Sequence, residues 1–210
     1  IVAGAEFYLY ARYMDVNKYA DLPPVTRQMI RLSEELRQST IDLDNALIKL
    51  ENLSKVESRT REIEKTIDFI GKLRIIMTQN KAAIDKLVIF AKNHKDFFEK
   101  KELFWVMDIQ QFYKNYNVVQ HYKSLQKYLD NFEELLRYTY TNFSYITEHK
   151  SAEHLKNYDE YYLRYRRAVD SHNRFNVKRI EFQNKYLLAH PEIKAYLPGE
   201  RQTETFRLWE

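Results

Sequence analysis

The chain has 210 residues, with three glycines, four prolines and no cysteine. So few turn-forming residues argue against a strand-rich fold, and the missing cysteines exclude disulfides, thiolate metal sites and cysteine nucleophiles. Lys and Arg (34) nearly balance Asp and Glu (30), the net being 0 over residues 1–80 and +2 in each of 81–150 and 151–210, so no polybasic tail is present to bind nucleic acid through charge alone.

These features predict an all-α fold, an elongated antiparallel bundle of four to five long helices with coiled-coil-like packing. The expected organisation is a juxtamembrane-like helix over 1–22, a helical bundle over 23–190 and an irregular C-terminal tail over 191–210. The opening residues "IVAGAEFYLYARYM" begin with a five-residue apolar run, too short to span a bilayer. Phe7, Tyr8, Tyr10 and Tyr13 with Arg12 follow it, a mixture that gathers at membrane interfaces. With Ile1 in place of a starting methionine, they read as the residues just past a membrane anchor helix. Arg12 and Lys18 balance Asp15 and Asp21, which favours the non-cytoplasmic side. The competing reading is an amphipathic helix that turns Ala5, Leu9, Tyr13 and Val16 to a core.

Pro23 and Pro24 end that segment. Beyond them Met29, Leu36, Leu43 and Leu50 recur at seven-residue steps, with Leu32 and Leu47 between, as in a coiled-coil seam. A turn is expected over Asn52–Ser54, where Ser54 and Glu57 have capping-box spacing. The next helix repeats the step at Ile63, Ile70, Met77, Ile84 and Ala91 and should end near Asn93 and His94, before a second capping box at Asp96 and Glu99.

Residues 97–148 pose a phase problem. Val118, Leu125, Leu129, Phe132, Leu136, Phe143 and Ile146 share one helical face, whereas Trp105, Ile109, Phe112 and Tyr116 lie almost opposite. A break in "KNYN", Lys114 to Asn117, brings both stripes onto one core. A continuous helix instead leaves Trp105, Phe112 and Tyr116 as an aromatic patch for a partner. Ser151 is placed to cap a last helix running to about Ala189, before Pro191.

In that helix "YDEYYLRYRR" sets tyrosines beside arginines. Tyr158, Tyr162, Tyr165, Val169, His172 and Asn176 fall on one core-facing line. Arg167, Arg174 and Lys178, flanked by Arg164, make a basic line on the opposite face, within six basic residues and one acid between 163 and 179. That line is the candidate dock for an acidic protein or an anionic surface. The residues expected in the core are Leu36, Leu43, Leu50, Ile63, Ile70, Met77, Leu129, Phe132, Leu136, Tyr162 and Tyr165.

No phosphate loop, H-E-x-x-H, G-x-S-x-G, EF-hand loop or Glu-x-x-His pair occurs, so no catalytic residue, metal site or cofactor is assigned. His149 and Glu153 in "EHKSAEH" have metal-ligand spacing only if a helix runs through them, and a polar interhelical turn explains them better. The expected function is therefore non-enzymatic: a structural or interaction domain, the extracytoplasmic part of a membrane-anchored protein of a bacterial envelope. The alternatives are a sensory bundle that binds a small ligand and a cytosolic polyanion-binding protein. Nucleic acid is disfavoured as a partner, and the heptad stripes suit a homodimer as well as a monomer.

Overall fold

A computed structural model describes residues 21–54 and 60–194, and among them there are seven α-helices and no strand. The helices are α1 (Pro24–Ser54), α2 (Thr60–Asn93), α3 (Lys95–Lys100), α4 (Trp105–Lys114), α5 (Tyr116–Thr141), α6 (Phe143–Thr147) and α7 (Ala152–Ala189), followed by a 3-10 turn at Pro191–Ile193. The all-α bundle is as expected, with α1, α2, α5 and α7 as its four long members. The juxtamembrane-like helix over 1–22 falls almost wholly outside the described residues, as do the capping partner Glu57 and residues 195–210 of the tail.

The direction of each helix follows from two apolar clusters at opposite ends of the bundle. One, the upper cluster, joins Leu43–Leu50 of α1 to Ile63–Leu73 of α2, Leu125–Leu136 of α5 and Tyr165–Val169 of α7. The other, the lower cluster, joins Met29–Leu36 of α1 to Leu87 and Ala91 of α2, Phe98 of α3, Val106–Tyr113 of α4, Val118 of α5, Leu187 of α7 and Ile193. Consecutive long helices thus run antiparallel. α1 pairs closely with α2, and α5 with α7; the two hairpins meet mainly where α2 lies on α4 and α5. Burial of each large apolar side chain contributes about 1.5–3 kcal/mol, so these two clusters hold the fold.

Of the eleven residues expected in the core, nine are buried, and Met77 and Tyr162 are half-buried. Both exceptions border open space: Met77 faces a groove between α2 and α5, and Tyr162 an aromatic pocket at the bundle end.

The break in "KNYN" is present at Asn115, whose backbone is extended (φ −60°, ψ 139°). Its side chain explains why it breaks there, because Oδ1 accepts a hydrogen bond from the Asn117 amide at 2.9 Å and caps α5. A second break, not foreseen, separates α3 from α4. The Leu103 amide donates to the Phe98 carbonyl and the Glu102 amide to that of Glu99, with Glu102 left-handed at φ 56°. That is a Schellman ending with glutamate where glycine is usual. The two breaks together let Phe98, Ile109 and Phe112 enter one core.

After α7 the chain turns at His190, and Ile193 of the 3-10 turn is wholly buried against the lower cluster.

Candidate functional site

Midway along the bundle, every long helix replaces apolar core residues with polar ones. On α1 these are Ser39 and Thr40; on α2, Asn80; on α5, His121, Tyr122 and Ser124; on α7, His172, Asn176, Arg179 and Gln183. Tyr113 joins them from the last turn of α4. A polar layer therefore parts the two apolar clusters. Each such group, buried without a partner, costs about 1–3 kcal/mol, so its hydrogen bonds decide whether the layer is structural.

One half of the layer is fully bonded. Asn80, wholly buried, donates from Nδ2 to Ser39 Oγ at 3.0 Å and Thr40 Oγ1 at 2.9 Å, and its Oδ1 accepts from the Tyr122 hydroxyl at 2.7 Å. Burial pushes the Tyr122 phenol up to about 12, so it stays a donor. These bonds fix the register of α1, α2 and α5, because a helix slipped by one residue would strand the buried amide.

The other half is incompletely bonded. Ser124 donates to the His121 carbonyl at 2.8 Å, and its oxygen lies 3.3 Å from His172 Nδ1, which makes Nδ1–H the donor of a neutral His172. The His121 and His172 rings are 5.0 Å apart. Burial, reinforced by the Arg179 charge, lowers His172 to about 4 and holds His121 well below its ordinary value. Arg179 donates from Nη1 to Gln183 Oε1 at 2.9 Å and from Nη2 to Asn176 Oδ1 at 3.0 Å, both neutral amide oxygens. Among the described residues, Arg179 Nε, the Tyr113 hydroxyl and His121 Nδ1 are buried without a partner. All three side chains line one cavity of about 40 Å³, together with Thr40, Asp44 and Phe112.

Comparison with protein-family models, with curated protein sequences and with solved structures returns no match to this chain. The site is read from its own residues.

The basic line predicted on the last helix stands on the outside of α7, where Arg167, Arg174 and Lys178 are exposed. Arg164 is exposed too but engaged, 3.3 Å from Glu134 of α5 and with its guanidinium 4.4 Å above the Tyr161 ring. The aromatic patch Trp105, Phe112 and Tyr116 does not form. Phe112 is buried and stacked on Phe182 at 5.6 Å, Trp105 is half-buried on the lower cluster, and only Tyr116 is open, at 66% exposure. The break at Asn115 is the physical reason, since it redirects α4 so that its stripe faces inward. Tyr116 instead meets Phe175 of α7 edge-on at 6.5 Å, and Arg174 lies over that same ring at 5.5 Å.

Charge counting puts Arg179 in the basic excess, whereas the structure turns it, half-buried, into the polar layer. The signal was available: Asn176 is on the core line, and steps of three and seven from it reach Arg179 and Gln183. Among the described residues the tightest set of metal-type donors is Asp108, His190 and Glu192. There His190 Nδ1 is 3.2 Å from Asp108 Oδ2 and 3.7 Å from Glu192 Oε1. Tyr186 donates to the Asp108 carbonyl at 3.0 Å beside them, so the group ties the 3-10 turn and the end of α7 to α4.

Proposed function

We propose that the chain is a non-enzymatic interaction domain whose docking surface is the outer face of α7, and that its partner is an acidic protein. The observation that carries this reading is the adjacency of Arg174 and Lys178 to an aromatic pair, the exposed Tyr116 and the half-buried Phe175, with Arg167 two turns before Arg174. Arginine and aromatic residues together are the composition of protein interfaces, whereas binding to anionic lipid needs only charge. Among the described residues Arg167, Arg174 and Lys178 form no ion pair that would occupy them.

The membrane anchor and the extracytoplasmic placement belong to the same proposal, on the interfacial character of residues 1–22. None of the described helices is long and apolar enough to cross a membrane. A sensory bundle for an organic ligand is less well supported, because the cavity in the polar layer measures only about 40 Å³. The groove of about 320 Å³ between α2 and α5 is open and lined largely by exposed polar side chains such as Thr78, Lys81, Lys123 and Gln126, whereas small-molecule sites are enclosed and mostly apolar.

The test compares the parent with a variant carrying Arg167→Glu, Arg174→Glu and Lys178→Glu for retention on immobilised polyglutamate and on anionic vesicles, at low and high salt. Salt-sensitive retention of the parent on polyglutamate, lost in the variant with an unchanged melt, supports the reading. Retention on vesicles alone would make the partner a membrane surface, and equal retention of both proteins would return these residues to a solvated face.

A further inference from the structure

We propose that the cavity walled by Arg179, Tyr113 and His121 is a binding site for one small monovalent inorganic anion of halide size. It lies on the inner side of α7, so the inference is independent of the docking face on the outer side. Three side chains that line one space each carry a buried polar atom without a partner: Arg179 Nε, the Tyr113 hydroxyl and His121 Nδ1. The guanidinium N–H can only donate, and the phenol donates once its oxygen has no donor to accept from. The occupant must therefore accept hydrogen bonds from at least two directions.

Water meets that requirement, but it leaves the charge where it is. The guanidinium bonds only to the neutral oxygens of Gln183 and Asn176, and among the described residues no carboxylate forms an ion pair with it. Burial lowers its pKa, as expected for a desolvated cation without a bound counter-charge. The other titratable groups around it are the neutral His121 and His172, the protonated phenols Tyr113 and Tyr122, and Asp44, which lines the cavity from α1. Arg179 as a residue is half-buried, but its Nε is shut off from solvent, and a cation desolvated on that side gains most from an anion in direct contact there.

Size and charge then define the class. A volume of about 40 Å³ suits one or two waters or a monatomic anion, and excludes phosphate or an organic acid. Asp44 on the same wall would repel a divalent ion more strongly than a monovalent one. The occupant would bond to α4, α5 and α7 at once, bridging the junction where the two hairpins leave space between them.

The experiment is thermal melting of the purified chain in sodium bromide, sodium chloride or sodium gluconate at constant ionic strength, with a crystal grown or soaked in bromide. The expected result is a saturable rise in Tm with bromide and chloride over gluconate, and an anomalous peak within hydrogen-bond distance of Arg179 Nε. Tyr113→Phe removes one donor and should raise the half-saturating bromide concentration about tenfold. Arg179→Gln should abolish the response, and if it fails to fold, Tyr113→Phe carries the test alone. Asp44→Asn should lower the half-saturating concentration by removing a like charge. Equal melting in bromide and gluconate, a cavity holding only water, or an undiminished bromide response in Tyr113→Phe would overturn the proposal.

Discussion

Acidification should destabilise this protein through His172. Its side chain is 1% exposed, lies against the Tyr128 ring and the His121 ring, and bonds through Nδ1 to Ser124. Burial first, then the Arg179 charge, lowers its pKa in the folded chain to about 4, against about 6.5 when unfolded. The sign follows directly. Above pH 6.5 neither state is protonated and the group has no effect. Below it the unfolded chain takes up a proton that the folded chain refuses, and stability falls by about 1.4 kcal/mol for each pH unit. Between pH 6.5 and 5 that amounts to about 2 kcal/mol from His172, and His121, shifted in the same direction, adds to it. Urea unfolding at pH 7.5, 6.5, 5.7 and 5.0 measures the slope. The parent should lose stability as if two protons were taken up on unfolding, and His172→Gln as if one were. A flat profile from pH 7 to 5, or an identical slope in the variant, would refute the assignment of both histidines as buried and neutral.

Other substitutions test the packing and the helix ends. Leu43→Ala, at a 3% exposed position of the upper cluster, should cost about 2–5 kcal/mol in a reversible melt. Gly71→Ala should stabilise by about 0.5–1 kcal/mol, since a Cβ there meets nothing within 4 Å and the backbone is helical. Asn115→Ala removes the cap of α5 and should cost about 1 kcal/mol by urea unfolding, with no change in the apolar clusters.

The long helices were legible because seven-residue apolar steps survive any arrangement of neighbours. The break at Asn115 was legible because two stripes of opposite phase cannot share a core on one straight helix. The break at Glu102 was not, because its left-handed ending uses glutamate and carries none of the glycine that marks such turns in sequence. Trp105 and Phe112 have meaning as a patch only if α4 keeps the direction of α5, and the Asn115 kink removes that condition. The polar layer was half-visible. His172 and Asn176 were on the core line, but Arg179 was grouped by charge when helical phase decides its side. Which polar groups on four helices meet at one level depends on the axial register between helices, and that is set by contacts such as Asn80 to Tyr122, forty-two residues apart.

The most direct test of the outer face of α7 as a docking surface is site-specific photo-crosslinking in the native cell. A photoreactive phenylalanine replaces Tyr116, and for comparison Ile89, an exposed residue of α2. A docking surface on this face yields a discrete adduct from position 116 only, weakened by salt and lost when Arg167, Arg174 and Lys178 are changed to glutamate. The same adduct from both positions, or one that survives the charge reversal, would contradict it.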